Sequence, residues 1–327
     1  MTIALGFQCT DGMVLAADSE ISNAFVKMPG TKAWVYKYAG QADGSPYALQ
    51  LGIVGAGNAA FIQYASERIH DAFEEFFDKR ATITRPEAKS LLQGVINEIH
   101  STHLYPAAQT AEPPSVEMVI GMWFGDRSLR LCRTYLTSVT KVWNYEAVGI
   151  GSALANFIIK RFYAGRVTIA QAVFIATEVL LHVKGNVPGC GGETQIIAMY
   201  KKGTVGFAQR KTISEHEQYV REFDDAIEPV FFGSQDPEVP DDEYSRRVDA
   251  LASKLKSIRK IEQIEKQARQ VKMDAISGVY TLNLGPLTLS AQGNSTASSG
   301  TSEPVPSAPP DRKSLRHGRK AQPQSQE

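Results

Sequence analysis

At the start of the chain, Ile3, Leu5 and Phe7 alternate with Thr2, Ala4, Gly6 and Gln8, a period of two that predicts a strand with one buried face. Thr10-Asp11-Gly12 supplies turn chemistry, and the apolar run from Met13 to Asp18 predicts the returning strand of a hairpin. Lys32 to Tyr38 and Tyr47 to Val54 read as two further strands, the second ending in Gly55-Ala56-Gly57-Asn58. The period then changes. Phe61, Ile62, Ala65, Ile69, Ala72, Phe73 and Phe76 recur at helical spacing from Ala59 to about Lys79, and Leu91, Leu92, Val95, Ile96 and Ile99 line one side of a second helix from about Pro86 to His103.

Strands return at Val116 to Phe124, Leu129 to Tyr135 and Lys141 to Ala147. After Gly149-Ile150-Gly151-Ser152 a second helical pair is predicted, Ala153 to Tyr163 and Thr168 to Val183, and Glu193 to Tyr200 and Thr204 to Gln209 close with a hairpin. An order of strands, two helices, strands, two helices, strands lets two sheets bury one face against each other while helical pairs cover the outer faces. The expected fold is therefore a four-layer α/β/β/α sandwich of the α/β (α+β) class. Three segments are expected: 1–210 as the sandwich, 211–285 as a helical extension, and 286–327 as a tail. The extension holds a charge-rich helix from Asp241 to Met273 whose apolar stripe is too narrow for a core helix. The tail is rich in Ser, Pro, Gly and Gln, a composition that predicts disorder.

Composition narrows the function classes. Lys plus Arg and Asp plus Glu each number 35, so no overall field draws nucleic acid or an anionic membrane. The terminal basic cluster around Arg312 and Lys313 reads as a solvated tail. Cys9, Cys132 and Cys190 are odd in number and widely spaced, a usage that suits a reducing cytosol and forms no metal pattern. His100 and His103 share a helix but have no third ligand near in sequence. There is no Gly-x-Ser-x-Gly elbow and no dinucleotide fingerprint. No apolar run reaches the roughly 18 residues that span a bilayer, and the N-terminus lacks a secretion signal. The expectation is a cytoplasmic protein, unprocessed apart from Met1, with no cofactor, no metal, no nucleic-acid partner and no membrane partner.

The candidate chemistry lies at the N-terminus. Thr2 is small enough for Met1 to be removed, which would put a hydroxyl and a free α-amine on one residue. Such an amine, with a reference pKa of about 7.7 to 8.0, is partly neutral near pH 7 and can take the hydroxyl proton directly or through water. The hairpin sets Thr2 opposite a residue between 18 and 21. Asp18 stands at the near end of that window, where it could hold an ammonium or simply begin a turn with Ser19. Lys32 could lower the hydroxyl pKa and stabilise an alkoxide, or be solvated as most strand-end lysines are. Gly57, just before a helix, could aim its N–H at an oxyanion, or serve as a turn glycine.

With these pieces in place, Thr2-Ile3-Ala4 and Gly12-Met13-Val14-Leu15-Ala16-Ala17-Asp18-Ser19 resemble the start of a proteasome β-type subunit or its simpler bacterial relative, an N-terminal nucleophile hydrolase. The resemblance implies that Thr2 is the nucleophile, that Asp18 orients Lys32, and that Gly57 supplies the oxyanion donor. Lys32-Ala33-Trp34-Val35-Tyr36 keeps the family's form of a Lys followed by an apolar strand, with a loop two residues shorter than the commonest spacing. Gly55-Ala56-Gly57-Asn58-Ala59-Ala60 resembles its glycine-rich helix entry. In the turn before the third helix Ile150 stands where active members usually carry a Ser. In Val187-Pro188-Gly189-Cys190-Gly191-Gly192, Val187 and Cys190 stand where the family usually offers an Asp and a Ser. Ser152, Cys190 and Asn186 are the candidates to supply the missing support. The resemblance covers about residues 2 to 210. It implies a threonine-type endopeptidase acting on peptide or unfolded protein inside a homo-oligomeric ring, with an ATP-driven unfoldase as a partner by analogy. Two alternatives stand beside it: a ring-forming scaffold subunit without activity, and an N-terminal nucleophile amidase acting on a small amide.

Overall fold

A computed structural model describes residues 2–22, 27–42, 45–107 and 114–276. The chain divides into two units, Met1–Glu265 and Lys266–Glu327. The first half of the chain runs β1 (Ile3–Gln8), β2 (Gly12–Asp18), β3 (Glu20–Ser22), β4 (Lys27–Pro29), β5 (Ala33–Ala42), β6 (Ser45–Gly57), α1 (Ala59–Lys79) and α2 (Arg85–Ile99). Next come β7 (Val116–Phe124), β8 (Leu129–Tyr135), β9 (Ser138–Val142), β10 (Tyr145–Gly149), α3 (Ser152–Phe162) and α4 (Ile169–Asn186). The last elements are β11 (Thr194–Tyr200), β12 (Val205–Phe207), α5 (Arg210–Gly233) and α6 (Asp241–Ile276).

Two five-stranded antiparallel sheets form the centre, one in the order β10-β1-β2-β11-β12 and the other β5-β6-β7-β8-β9. Strand β2 is buried throughout and shows why the layers stack as they do. Its Met13, Leu15 and Ala17 point into the core between the sheets with Val54, Val119, Trp123 and Ile197. Its Val14 and Ala16 point the other way, into the core built with α3 and α4. A strand covered on both faces reads as a continuous apolar run, as Met13 to Ala17 does. On the far sheet, Leu49, Leu51 and Ile53 of β6 meet Ile62, Ile69 and Phe73 of α1 and Leu92 and Ile96 of α2. The expected α/β/β/α sandwich is the fold.

The helices start where their capping chemistry dictates. Asn58 accepts from the N–H groups of Ala60 and Phe61 at the head of α1. Thr84 with Glu87 and Thr168 with Gln171 form reciprocal capping boxes at α2 and α4.

Several elements differ from expectation. The segment expected as one strand, 141–147, is two: β9 ends the second sheet and β10 flanks β1 in the first, so the chain changes layer at Trp143 and Asn144. Helix α2 stops at Ile99 and passes into a π turn, His100–Leu104, and a short helical turn, Tyr105–Ala107. The pattern predicts no β3–β4 hairpin, and α5 falls in the segment expected as a helical extension, where the only helix predicted individually is Asp241 to Met273. Helix α5 buries only Ile213, His216, Val220 and Gly233, too sparse a stripe to stand out by periodicity. The charge-rich helix is α6, three residues longer than expected. The expectations for 286–327, its disorder and its basic cluster, lie outside the described residues. No helix among the described residues is long and apolar enough to cross a membrane.

Candidate active site

The hairpin register, Ala4 opposite Ala17 and Leu5 opposite Ala16, continues to bring Asp18 beside Ile3 and Thr2. Asp18, the last residue of β2, receives the Ile3 N–H on Oδ1 at 3.2 Å and the Gly191 N–H on Oδ2 at 3.0 Å. The Thr2 hydroxyl donates to the same Oδ1. Lys32 Nζ donates to Thr2 Oγ1 at 2.6 Å, to Asp18 Oδ1 at 3.0 Å, and to the Glu20 carbonyl. Thr2 and Lys32 are each 1% exposed and Asp18 is fully buried. The three residues named from the sequence thus form one buried hydrogen-bonded cluster.

Lys32 sits just before β5, and its backbone is pinned from both sides. Its N–H donates to Gln195 Oε1 at 3.0 Å and its carbonyl accepts from Gly55 at 3.1 Å. Gln195 Nε2 donates in turn to the Gly30 carbonyl at 3.1 Å. The Gly55 contact runs the glycine-rich end of β6 alongside Lys32. Gly57 follows with φ +123, and a Cβ there would meet the Ser115 carbonyl at 2.0 Å, so only glycine fits.

Electrostatics follow from burial. Loss of water pulls the Lys32 ammonium below the ordinary lysine range, and the Asp18 carboxylate works against that shift. Cys190 is buried in the same neighbourhood. Burial, with the Asp18 charge adding to it, pushes its thiol up to about 11, so it stays protonated near pH 7 and is no rival nucleophile. All three cysteines are free and buried.

The remaining candidates are placed less centrally. Ser152 opens α3 and makes no hydrogen bond to the cluster among the described residues. Asn186 is exposed and donates to the His182 carbonyl at 2.8 Å, closing the last turn of α4. Ile150 is 50% exposed. His100 and His103 face aromatic rings, His103 against Tyr64 at 5.1 Å and His100 against Tyr105 at 6.5 Å.

Sequence reasoning missed four supports: Gly191, which anchors Asp18; Gln195, which holds the Lys32 backbone; Glu20, whose carbonyl takes the third Lys32 hydrogen bond; and Glu117, whose Oε2 accepts from Gly149 N–H at 3.3 Å. Gly191 and Gln195 lie more than 150 residues from their partners, so no local signal marks them. The Glu20 carboxylate is in turn 3.1 Å from Lys27 across the β3–β4 hairpin.

Gly149, paired with Ile3, holds φ +95, and a Cβ there would stand 2.3 Å from the Thr2 carbonyl oxygen. Gly149→Ala should cost about 2 to 4 kcal/mol, from left-handed backbone strain plus that clash. Urea denaturation measures it; a loss below 0.5 kcal/mol, on the order of a neutral surface change, would show that Thr2 is not held by this contact.

No family model and no curated protein sequence matches the chain. Solved structures do. An Anbu (Gly-1) mutant from Hyphomicrobium sp. strain MC1 is 14% identical with a TM-score of 0.57, over 73% of this chain and 100% of its own. Anbu (ancestral beta-subunit) from Yersinia bercovieri is 14% identical with a TM-score of 0.56, over the same shares of the two chains. At that identity the likeness is one of fold.

Proposed function

We propose that the chain is a threonine-type peptidase of the N-terminal nucleophile class, with Thr2 as the first residue of the mature chain. The observation that carries this reading is the Lys32 ammonium 2.6 Å from the Thr2 hydroxyl oxygen, with one Asp18 oxygen bound to both groups. Once processing frees its amine, Thr2 holds nucleophile and base together. The neutral amine takes the hydroxyl proton as Oγ1 attacks the peptide carbonyl. Lys32, its proton loosened by burial, stabilises the developing alkoxide, and Asp18 fixes both in place. The Gly57 N–H is the proposed donor to the tetrahedral oxyanion. Collapse expels the leaving amine, which takes the proton from the α-ammonium, and water aided by the same amine then hydrolyses the Thr2 ester. The reading requires removal of Met1, because only a free α-amine on Thr2 can act as the base. The fold likeness to two structures, one named an ancestral beta-subunit, supports the sandwich on which the reading rests; ring assembly around a peptide or unfolded-protein substrate is proposed from the family resemblance.

One observation favours a second reading, a ring-forming subunit without activity. Ile150, half exposed, and Val187 stand where the family resemblance expects polar support. Intact mass after incubation with a peptide epoxyketone, which needs both the hydroxyl and the free amine of an N-terminal Thr, decides between them. A chain beginning at Thr2 that gains one inhibitor mass supports the catalytic reading. A chain that keeps a residue ahead of Thr2, or begins at Thr2 and takes no adduct, overturns it. A panel of fluorogenic peptides and small amides separates a peptidase from an amidase.

A further inference from the structure

Among the described residues, one group of three side chains with metal-ligating atoms converges, and it lies outside the Thr2 cluster. Glu178 and His182 are one helical turn apart on α4, and Asp224 reaches them from α5. His182 Nε2 is 3.3 Å from Glu178 Oε1 and 3.4 Å from Asp224 Oδ2, and all three donor atoms lie within 4.8 Å of one another.

We propose that Glu178, His182 and Asp224 bind one divalent transition-metal ion, zinc in the first instance, which pins α5 to α4. A tetrahedral zinc holding nitrogen and oxygen at about 2.0 to 2.2 Å keeps those ligands roughly 3.3 to 3.5 Å apart. The two measured separations from His182 match that spacing. The donor set of one imidazole and two carboxylates suits the ion, and three protein ligands leave a fourth position for water. His182 and Asp224 are 32% and 43% exposed, which leaves a path for entry.

Charge supplies the second line of support. A neutral imidazole can give one N–H to one carboxylate, and its bare nitrogen repels both. A cation bound between them would satisfy both carboxylates and the ring nitrogen at once. Glu178 is only 11% exposed, so its carboxyl has lost most of its contact with water. Closer to the end of α4 the same two helices are joined by a complete pair, in which Lys184 Nζ reaches Glu217 at 2.9 Å and Thr194 at 2.8 Å. There a lysine brings the positive charge; at Glu178 the nearby positive groups are His182 and, by its charge, Arg161.

The test uses full-length protein stripped with EDTA and titrated with zinc chloride, read by isothermal calorimetry, metal analysis and thermal unfolding. One zinc per chain is expected, with Tm raised by roughly 5 °C at saturating metal. Cobalt in its place should give the intense visible bands of a tetrahedral site. His182→Ala and Asp224→Asn should each weaken binding at least about tenfold and lose the Tm shift, while His100→Ala/His103→Ala binds as wild type. Asp224 is partly exposed, so its variant removes a ligand without disturbing the core, and circular dichroism of each stripped variant checks its fold. Failure to bind zinc stoichiometrically would overturn the site. Undiminished binding in both His182→Ala and Asp224→Asn would overturn it too, as would loss of binding in the His100/His103 variant.

Discussion

Thr2→Ala is expected to abolish peptide hydrolysis, by at least about 10³-fold in kcat/KM, because the hydroxyl bound by both Lys32 and Asp18 disappears. The fold should barely notice. The loss removes one buried hydrogen-bonded hydroxyl, worth about 1 kcal/mol, and leaves the Lys32–Asp18 pair intact at 3.0 Å. Thr2→Ser keeps the oxygen and should retain measurable turnover. Fluorogenic peptide assays on the three proteins, with urea denaturation alongside, check both halves. Equal activity in wild type and Thr2→Ala would remove the nucleophile from the proposal. Unfolding of Thr2→Ala would instead show that the cluster is structural.

Lys32→Met should destabilise the fold strongly. It leaves the Asp18 carboxylate fully buried with three donors, Thr2 Oγ1, Ile3 N–H and Gly191 N–H, and no countercharge. Stranding one partner of a buried pair costs about 3 to 5 kcal/mol, and the remaining donors place the expected loss near the lower end. The double variant Lys32→Met/Asp18→Asn should lose less than the sum of the single changes by about 2 kcal/mol, since no charge remains to be stranded. Strict additivity would mean that the two residues are not energetically coupled.

The pH dependence has a definite sign. Burial lowers the Lys32 pKa, so between that value and the ordinary lysine value the unfolded chain holds a proton that the folded chain has released. Stability from this group therefore rises with pH through that window. The stability gap between wild type and Lys32→Met should widen as pH increases from neutral toward 10, about the ordinary lysine value. A gap that narrows would place the lysine pKa above its ordinary value and the Asp18 attraction above desolvation.

Much of the fold was readable because each layer imposes its own period. Ile3 to Gln8 is β1, but the one buried face its alternation predicts is wrong: Ile3, Leu5 and Phe7 enter the helical core and Ala4 the core between the sheets, so it is covered on both faces, as is β2, apolar from Met13 to Ala17. Phe61 to Phe76 repeats at helical spacing and is α1. The readings failed where the chain changes layer within a few residues, as at Trp143 and Asn144, or where a helix buries too few residues to show a stripe, as α5 does.

For the site, the sequence by itself set Asp18 within reach of Thr2 at the open end of the hairpin, while Lys32, one strand further on, was singled out by the family resemblance. A hairpin's register is set by its length, so which residues face one another follows from counting. Counting does not reach Gly191, Gln195 or Asp224, each brought to its partner by layers packing over long sequence separations. Only the tertiary structure decided that a loop after α4 would anchor Asp18 and that a β11 glutamine would hold the Lys32 backbone. It alone decided that two acids on different helices would meet one histidine. These are outcomes of how sheets and helices stack, and stacking is fixed by apolar burial, which specifies faces and not pairs.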